Sequence, residues 1–357
     1  MMRMDSITQG LLGAVTAQLG FRGKLGAKAP WIAAATAMVP DLDSSIVSAL
    51  RLVGLATGPF AHLRHHRGLS HGILGVVVLG AIAGAVWAAF RRRDYRWIFG
   101  CTIVAALSHP LLDVCTSYGT QLLSPFSDRR LALHVVPIVD LIYTGLLVGT
   151  LIACGLARWL AARGGHTALA AAWIGFGLSV GYLAGGRAMH DRAVRLGRAA
   201  FAEAGMEPSA EVEAYPTLGG IFRWRIVGRD GPTWYVAGTN LLFDRPLEVS
   251  AYDDDDGPLV DRAQANGDVE TFAWFAAGQL RAVQGSVDGR TVIDLHDMRY
   301  GRTDDSGLSR WAVRVVFDGN GRVAEVVRVY AGGGGPRRSG PMLWSMAPEA
   351  WRGMFQP

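Results

Sequence analysis

Long uncharged hydrophobic stretches fill the first half of the chain. Residues 72–90 and 167–186 contain no charged side chain over 19 and 20 positions, respectively. Residues 97–112 and 135–157 are also apolar and carry ionisable side chains only near one end. A helix needs about 20 mainly apolar residues to cross the hydrocarbon core of a bilayer. The pattern therefore predicts four membrane-spanning helices.

Two earlier apolar stretches are shorter or interrupted. Residues 6–21 are uncharged over only 16 positions, and residues 29–50 contain the sequence Pro40-Asp41-Leu42-Asp43. We expect two additional helices here that are transmembrane or re-entrant. A cleaved signal peptide is the alternative for the first stretch, but Asp5 offsets Arg3 before it and no small-residue cleavage site follows.

The second half has the pattern of a soluble sheet domain. A charged helical pattern at 189–207 indicates a stalk that leaves the membrane. Strand-like runs follow at 221–227, 234–237, 291–295 and 311–317, and the turn sequence Asp318-Gly319-Asn320-Gly321 leads into a further run at 323–330. Two apolar runs joined by such a turn are typical of a β-hairpin. We therefore predict a mainly antiparallel β (α+β) domain.

These patterns divide the chain into four parts. We expect an α-helical membrane domain at 1–188, a helical stalk or linker at 189–214, the β-rich soluble domain at 215–330, and a flexible linker with an aromatic tail at 331–357. A mean hydropathy of +0.22 and a charged fraction of 18% exclude a disordered chain, a coiled coil and an ordinary single soluble domain.

Charge is distributed unevenly between the two halves. The first 190 residues contain 16 Lys and Arg but only seven carboxylates, a net +9, whereas the remainder has 19 basic and 23 acidic residues, a net −4. Lys and Arg favour the cytoplasmic loops of membrane proteins. In a six-span topology, nine basic residues lie in the loops at 22–28, 91–96 and 158–163, against seven on the other face. This topology predicts a multi-pass membrane chain with its C-terminal domain outside the cytoplasm.

Acidic and imidazole side chains of the membrane half collect on one face in this topology. His109 and Asp113 are four residues apart and therefore share one side of a helix. Gly68 would let the backbone turn between two histidines, and an Asp-x-Asp sequence after a proline suits an irregular turn that reaches a metal. Ionisable residues at membrane depth are costly and indicate function. The candidate metal ligands are Asp41, Asp43, His66, His71, His109 and Asp113.

Imidazole and carboxylate ligands without a thiolate suit a divalent metal, zinc first, with manganese or iron as alternatives. One catalytic zinc needs about three protein ligands and a water, so six candidates indicate two ions, or one ion with a carboxylate left as general base. We also expect Asp128 or Asp140 to orient a ligand histidine and Arg67 to bind phosphate. Taken singly, each of these residues is as readily a hydrogen-bonding partner between helices.

Four motifs in the membrane half are similar to those of a known family. They are Met4-Asp5-Ser6-Ile7-Thr8-Gln9, Pro40-Asp41-Leu42-Asp43, His65-His66-Arg67-Gly68-Leu69-Ser70-His71 and Ser108-His109-Pro110-Leu111-Leu112-Asp113. Their order resembles the bacterial inner-membrane metal-dependent hydrolases, some of which are described as regulated by the DNA-damage response. The resemblance covers about residues 4–190 and implies a hydrolase embedded in the bacterial inner membrane, so that the C-terminal domain would be periplasmic, with a metal held by these His and Asp residues. Gln9 stands where many relatives have His, and Gly72 where they have a hydroxyl residue.

The sequence thus predicts an integral-membrane hydrolase that acts on a phosphoester or lipid-like substrate through a metal-activated water. Membrane lipid and an amphiphilic phosphoester are the expected partners, and no nucleic acid is expected. The alternative is a non-catalytic membrane protein that binds metal as a sensor, transporter or scaffold. A transporter is disfavoured because its polar residues usually lie near the bilayer midplane in repeated, broken helices.

Reporter proteins fused to the C-terminus test the predicted orientation. We expect alkaline phosphatase, which folds only in the periplasm, to be active there, because long soluble domains cross the membrane largely regardless of their charge. A cytoplasmic reporter at the same position should be inactive. Strong activity of that cytoplasmic reporter would overturn the periplasmic assignment.

Overall fold

The computed structural model describes residues 6–52, 54, 60–91, 94–160, 165–243, 245–301, 308, 309 and 311–329. These residues form two compact units. The first unit contains the described residues of 1–49, 65–187 and 218–221, and the second contains those of 50–64, 188–217 and 222–329. The flexible linker and aromatic tail expected at 331–357 lie outside the described residues.

Helices are the main elements of the described residues up to 203, with a non-helical segment at 115–140. The short helices are α1 (Ser6–Gln18), α2 (Phe21–Leu25), α3 (Ala29–Met38), a 3₁₀ turn at Val39–Asp41, α4 (Leu42–Leu52) and α5 (Ala61–His65). The long helices are α6 (Ile73–Phe90), α7 (Tyr95–Val114), α8 (Leu141–Leu160) and α9 (Gly165–Glu203).

Among the described residues, these four long helices are long and apolar enough to cross a membrane, which confirms the predicted number of clear spans. With 13 and 10 residues, α1 and α3 would be only about 20 and 15 Å long. The two uncertain segments are therefore short helices, and the second is broken by the 3₁₀ turn. The stalk predicted at 189–214 is helical only in its first part, where α9 runs without interruption to Glu203, and its last four residues belong to a strand that begins at Glu211.

Helix α8 begins at Leu141, six residues after the start of the apolar stretch. Asp140 accounts for this start, because its Oδ1 accepts hydrogen bonds from the backbone N–H groups of Ile142 and Tyr143, at 3.0 and 2.9 Å. A carboxylate in this position satisfies N–H groups that have no partner inside the helix. Asp140 thus caps the helix.

Glycines allow the helices of the first unit to approach closely. A Cβ at Gly80 of α6 would lie 2.8 Å from Ile103 Cα of α7, and one at Gly84 would lie 2.9 Å from Phe99 Cδ1. A Cβ at Gly13 of α1 would lie 2.7 Å from the carbonyl oxygen of Ala33 in α3. Small residues four apart on one face are typical of close helix packing in membranes.

The buried face of α7 carries both the packing residues and the chemistry. Ile98, Cys101 and Ala105 are almost fully buried on this face, and His109 and Asp113 continue it with no exposed surface. Because the buried residues recur every three or four positions, they lie on one stripe of the helix. The stripe that packs against the neighbouring helices therefore ends in two candidate ligands.

Two antiparallel four-stranded sheets form the second unit, which confirms the predicted β-rich class. The first sheet has the order β1 (Glu211–Pro216), β2 (Arg223–Asp230), β3 (Thr233–Asn240) and β4 (Val249–Asp253). After α10 (Pro258–Gln264) and α11 (Gly267–Phe275), the second sheet has the order β5 (Leu280–Val287), β6 (Arg290–Asp297), β7 (Ala312–Phe317) and β8 (Val323–Val329).

The strands absent from the sequence prediction are β1, β4 and β5, and each lies at the edge of a sheet. An edge strand pairs on one side only and is less buried, so its residues need not form an apolar run. Strand β8 is also an edge strand, but the turn before it indicated a hairpin. Its pairing with β7 confirms that hairpin.

Replacing Gly80 by Ala tests the close approach of α6 and α7. We expect the Gly80→Ala variant to unfold about 1–3 kcal/mol more easily, because the added methyl group meets the backbone of α7. Gly149→Ala is the matched control, since a Cβ at this helical glycine meets no atom within 4 Å; it should be neutral or gain up to about 1 kcal/mol in helix propensity. Thermal unfolding in detergent measures both, and equal shifts would contradict the packing.

Candidate metal centre

Four side chains from three segments of the first unit converge in the structure. The Nε2 atoms of His71 and His109 lie 3.0 Å apart. Asp41 Oδ1 lies 3.6 and 3.5 Å from these two atoms, and Asp113 Oδ2 lies 3.5 Å from each. We call these four residues the His-Asp quartet. Asp41 comes from the 3₁₀ turn, His71 from the loop before α6, and the other two from α7.

Within the quartet, the two histidines and either carboxylate are spaced like ligands around one ion. Tetrahedral ligands about 2.0–2.1 Å from zinc are about 3.3–3.4 Å from one another. The five separations above range from 3.0 to 3.6 Å. Asp41, His71 and His109 are all buried and form one of the groups whose geometry allows a metal ion. The residues therefore fit a divalent metal.

Both imidazole rings of the quartet turn a lone pair inward. His109 Nδ1 lies 2.6 Å from the carbonyl oxygen of Ala37; because a carbonyl only accepts, Nδ1 donates, and in the neutral ring Nε2 carries the lone pair. His71 Nδ1 lies 2.9 Å from Ser70 Oγ, whose hydroxyl donates to Asp43 Oδ2 at 2.7 Å. That hydroxyl therefore accepts from His71 Nδ1. Two lone pairs face each other and repel unless a cation lies between them.

Each carboxylate of the quartet uses one oxygen for support and turns the other inward. Asp113 Oδ1 accepts from Gln9 Nε2 at 3.0 Å and pairs with Arg67 Nη2 at 3.0 Å. Its Oδ2 is buried and has no hydrogen-bond donor among the described residues. Asp41 Oδ2 accepts from Ser6 Oγ at 3.0 Å, so that Oδ1 faces the histidines. A buried carboxylate oxygen without a donor is costly unless a cation compensates it.

The formal charges of the cluster also favour a bound cation. Asp41, Asp43 and Asp113 contribute three negative charges, and Arg67 contributes one positive charge among their contacts. With neutral histidines the sum is −2. Uncompensated charge in a buried site is strongly unfavourable, and one divalent cation would neutralise it.

A second group of candidate ligands, formed by Asp43, His66 and His71, is also close enough to hold an ion. Its polar atoms, however, already have partners. Asp43 Oδ1 lies 2.8 Å from His66 Nδ1, and Asp43 Oδ2 accepts from Ser70 Oγ and from the Arg67 backbone N–H at 3.1 Å. Burial lowers the pKa of His66, so this imidazole stays neutral and donates to Asp43. Hydrogen bonds thus explain why these side chains lie close together. Their role is to hold the ring of His71 in position.

Arg67 is a supporting residue in the structure. Its side chain is 1% exposed, and its guanidinium contacts Asp113 and lies 3.4 Å from Thr116 Oγ1, 3.3 Å from the carbonyl oxygen of Gly119 and 4.5 Å above the Tyr118 ring. A guanidinium engaged in this way does not offer the bidentate phosphate contact expected from the sequence. Arg67 also makes the turn in the loop, with φ of 62°, where Gly68 was expected to do so.

Asp128 and Asp140 do not join the quartet. Asp128 is exposed, and none of the contacts described for it reaches a ligand histidine. Asp140 caps α8 and also accepts from Tyr182 Oη at 2.8 Å. We expected one of them to orient a ligand histidine. In the structure, the carbonyl of Ala37 and the Ser70–Asp43 pair orient the ligand histidines instead.

Gln9 is a site residue whose role the sequence did not reveal. Its side chain is fully buried, and its amide donates to Asp113 Oδ1 and to the carbonyl oxygen of His109, at 3.0 and 3.3 Å. The motif at 4–9 drew attention to this position, but an amide is a poor metal ligand. Gln9 instead holds a ligand carboxylate in place. Met4 and Asp5 of the same motif lie outside the described residues.

Comparisons with known proteins agree with a membrane-embedded site. A sequence model of the YdjM inner membrane protein family matches residues 4–189, a range that contains the whole quartet. The uncharacterized protein YfhP of Bacillus subtilis (strain 168) is 29% identical over 107 residues, which is 30% of this chain and 30% of that protein. The match thus covers less than a third of the relative's length. No solved structure matches the chain.

Replacing Arg67 by Met tests the support of Asp113. We expect the Arg67→Met variant to lose about 3–5 kcal/mol of stability, because a buried carboxylate loses its charged partner. Arg129→Met is the matched control, since Arg129 is exposed, and it should change stability by less than about 0.5 kcal/mol. Thermal unfolding in detergent, without added metal, measures both. Equal stability of the two variants would contradict the buried pair.

Proposed function

The chain belongs to the YdjM inner membrane protein family, and from this we propose that it is a metal-dependent hydrolase of the inner membrane that uses one divalent ion in the His-Asp quartet. One observation carries the proposal, namely the inward-facing Nε2 atoms of His71 and His109 at 3.0 Å. A shared proton would relieve the lone-pair repulsion but would neutralise only one of the two excess negative charges. A divalent ion meets both requirements.

His71, His109, Asp41 and Asp113 would hold the ion, with zinc first by donor type and manganese or iron as alternatives. Bound there, a divalent metal supplies a water of lowered pKa as nucleophile. The proposal uses a single ion, because Asp43 and His66 are already engaged in hydrogen bonds with each other and with the loop.

The two carboxylates of the quartet take different roles in this proposal. Asp113 has no exposed surface and is fixed by Gln9 and Arg67, so it serves as a permanent ligand. The Asp41 side chain is 8% exposed and lies beside the half-buried Ser6. Asp41 is therefore the carboxylate that meets an incoming water, and we assign it the role of general base as well as ligand.

The surrounding residues fix the reacting groups before substrate arrives. Ala37 holds the ring of His109, and Ser70 with Asp43 holds the ring of His71. Supports of this kind set the tautomer and orientation of a ligand histidine, and their loss typically costs about 10–100-fold in metal affinity or activity.

The substrate proposed is a phosphoester or a lipid-like ester. Arg67 is engaged with Asp113, and Arg130 is likewise engaged through its Nη2 with the carbonyl oxygens of Tyr118 and Gly119. The preference for a phosphate group therefore rests on Arg129, which is exposed. Arginine pairs readily with phosphate oxygens.

A non-catalytic metal-binding protein, a sensor or scaffold, is the second candidate. The observation that favours it is the number of donors, since four protein ligands close a tetrahedral zinc site and leave no position for water. In the hydrolase, Asp41 would instead share its place with the water. Metal content and turnover, measured on the same preparation, separate the two functions.

The test uses full-length protein purified in detergent and loaded with zinc or manganese. We expect one ion per chain by mass spectrometry, and hydrolysis of a chromogenic phosphodiester or carboxylic ester. A His109→Ala and Asp113→Ala double variant should lose the ion and at least about 100-fold of the turnover, beyond the loss for a supporting residue. His166→Ala is the matched control, because His166 is exposed on α9, and it should keep both.

Thermal unfolding and gel filtration check that each variant is folded. One bound ion without turnover above the double variant would leave the sensor or scaffold as the function. Two ions per chain would overturn the single-ion proposal. No bound ion in a folded wild-type protein would overturn both candidates.

A further inference from the structure

Polar and exposed apolar residues alternate at three segments around the quartet. In each segment a side chain that faces the site is followed or preceded directly by a large apolar side chain that faces outward. The outward residues are Ile7, Leu42 and Leu69, with 65%, 55% and 66% of their surface exposed. Their inward neighbours are Ser6, Asp41 and Ser70.

Contacts among the inward residues bring the three segments together. Ser6 Oγ lies 3.0 Å from Asp41 Oδ2, Asp41 Oδ1 lies 3.6 Å from His71 Nε2, and Ser70 Oγ lies 2.9 Å from His71 Nδ1. Ile7, Leu42 and Leu69 are the chain neighbours of these residues, so they lie around the same cluster. We call these three residues the apolar rim.

Two carboxylates of the cluster are partly exposed. Among the carboxylates of the cluster, Asp41 and Asp43 have side chains that are 8% and 12% exposed, whereas that of Asp113 is fully buried. Leu42 stands between the two partly exposed ones in sequence. The exposed part of the cluster therefore lies next to a residue of the apolar rim.

The quartet lies near one end of a spanning helix. His109 lies five residues before the end of the spanning helix α7, or about 7.5 Å along its axis. Ile46, one turn after Leu42 in α4, is 58% exposed and extends the apolar surface away from the rim. In a protein of the inner membrane, such a surface contacts lipid, so the rim is continuous with the bilayer.

From this geometry we propose that the substrate is an amphiphile resident in the bilayer, which enters from the side with its ester group at the quartet and its apolar chain against the rim. This inference rests on the proposed hydrolase function and specifies its substrate class. Hydrolysis breaks one ester bond, forms one bond to the water oxygen, and transfers a water proton to the leaving group. No further reactant is required. A soluble ester of the same chemistry, without an apolar chain, would make no contact with the exposed apolar rim.

The test measures ligand binding as well as turnover, on protein in lipid nanodiscs. Non-hydrolysable alkylphosphonates with chains of two, six and ten carbons are titrated against the cobalt-substituted protein, whose visible spectrum reports the metal site. The matching p-nitrophenyl alkyl phosphodiesters give KM and kcat. The variants are Leu42→Ala and Leu69→Ala, with Ile82→Ala as the control, because Ile82 is 55% exposed on α6.

We expect Kd and KM to fall with chain length in the wild type and in Ile82→Ala. Each rim variant should reduce the gain between two and ten carbons by about 3–10-fold, because apolar contact area is lost. The alkyl chain of each ligand partitions equally into the nanodisc lipid for all variants. This contribution to the apparent Kd and KM therefore cancels when the variants are compared.

The outcomes separate this inference from the function on which it rests. Equal chain-length dependence in the rim variants and the control, or none in the wild type, would overturn the amphiphile while the two-carbon ester is still cleaved. If the folded protein binds no cobalt and cleaves no ester, the hydrolase function fails and the inference falls with it.

Discussion

Two imidazole nitrogens, held 3.0 Å apart, constrain the arrangement of the other side chains in the candidate metal centre of the first unit. Each ring donates through its other nitrogen, to the carbonyl of Ala37 in one case and to Ser70 in the other, so neither ring can turn its proton inward without losing a buried hydrogen bond. The inward lone pairs, together with two carboxylate oxygens, form a site that is unfavourable when empty of positive charge. A metal ion bound there, as proposed, would therefore stabilise this unit.

The packing of the short helices follows from the same requirement. Gly13 lets α1 approach α3, where Ala37 supplies the carbonyl for His109, and it also brings Gln9 of α1 to Asp113. A Cβ at Gly75 would overlap the carbonyl oxygen of Leu69, so the loop that carries His71 can fold against the start of α6 only because this residue is glycine. Close helix contacts thus determine the separations within the quartet.

The sequence predicted those elements that can be recognised from the types and spacing of their own residues. The four spans followed from apolar length, and the quartet was among the six candidate ligands because spacing and topology placed His109, Asp113 and the others on one face. Edge strands such as β1 were missed because they bury only one side. The carbonyl of Ala37 has no side-chain signature, and the role of Arg67 depends on a buried pair with Asp113 that only the fold creates.

Anomalous diffraction from crystals of the zinc- or manganese-loaded protein is the most direct measurement of the proposed centre. Data on both sides of the metal absorption edge locate each ion independently of the protein atoms. One anomalous peak per chain is expected between the Nε2 atoms of His71 and His109, within about 2.0–2.2 Å of at least one carboxylate oxygen of Asp41 or Asp113. A folded, metal-soaked protein without a peak at this position, or with its peak between Asp43 and His66, would contradict the proposed centre.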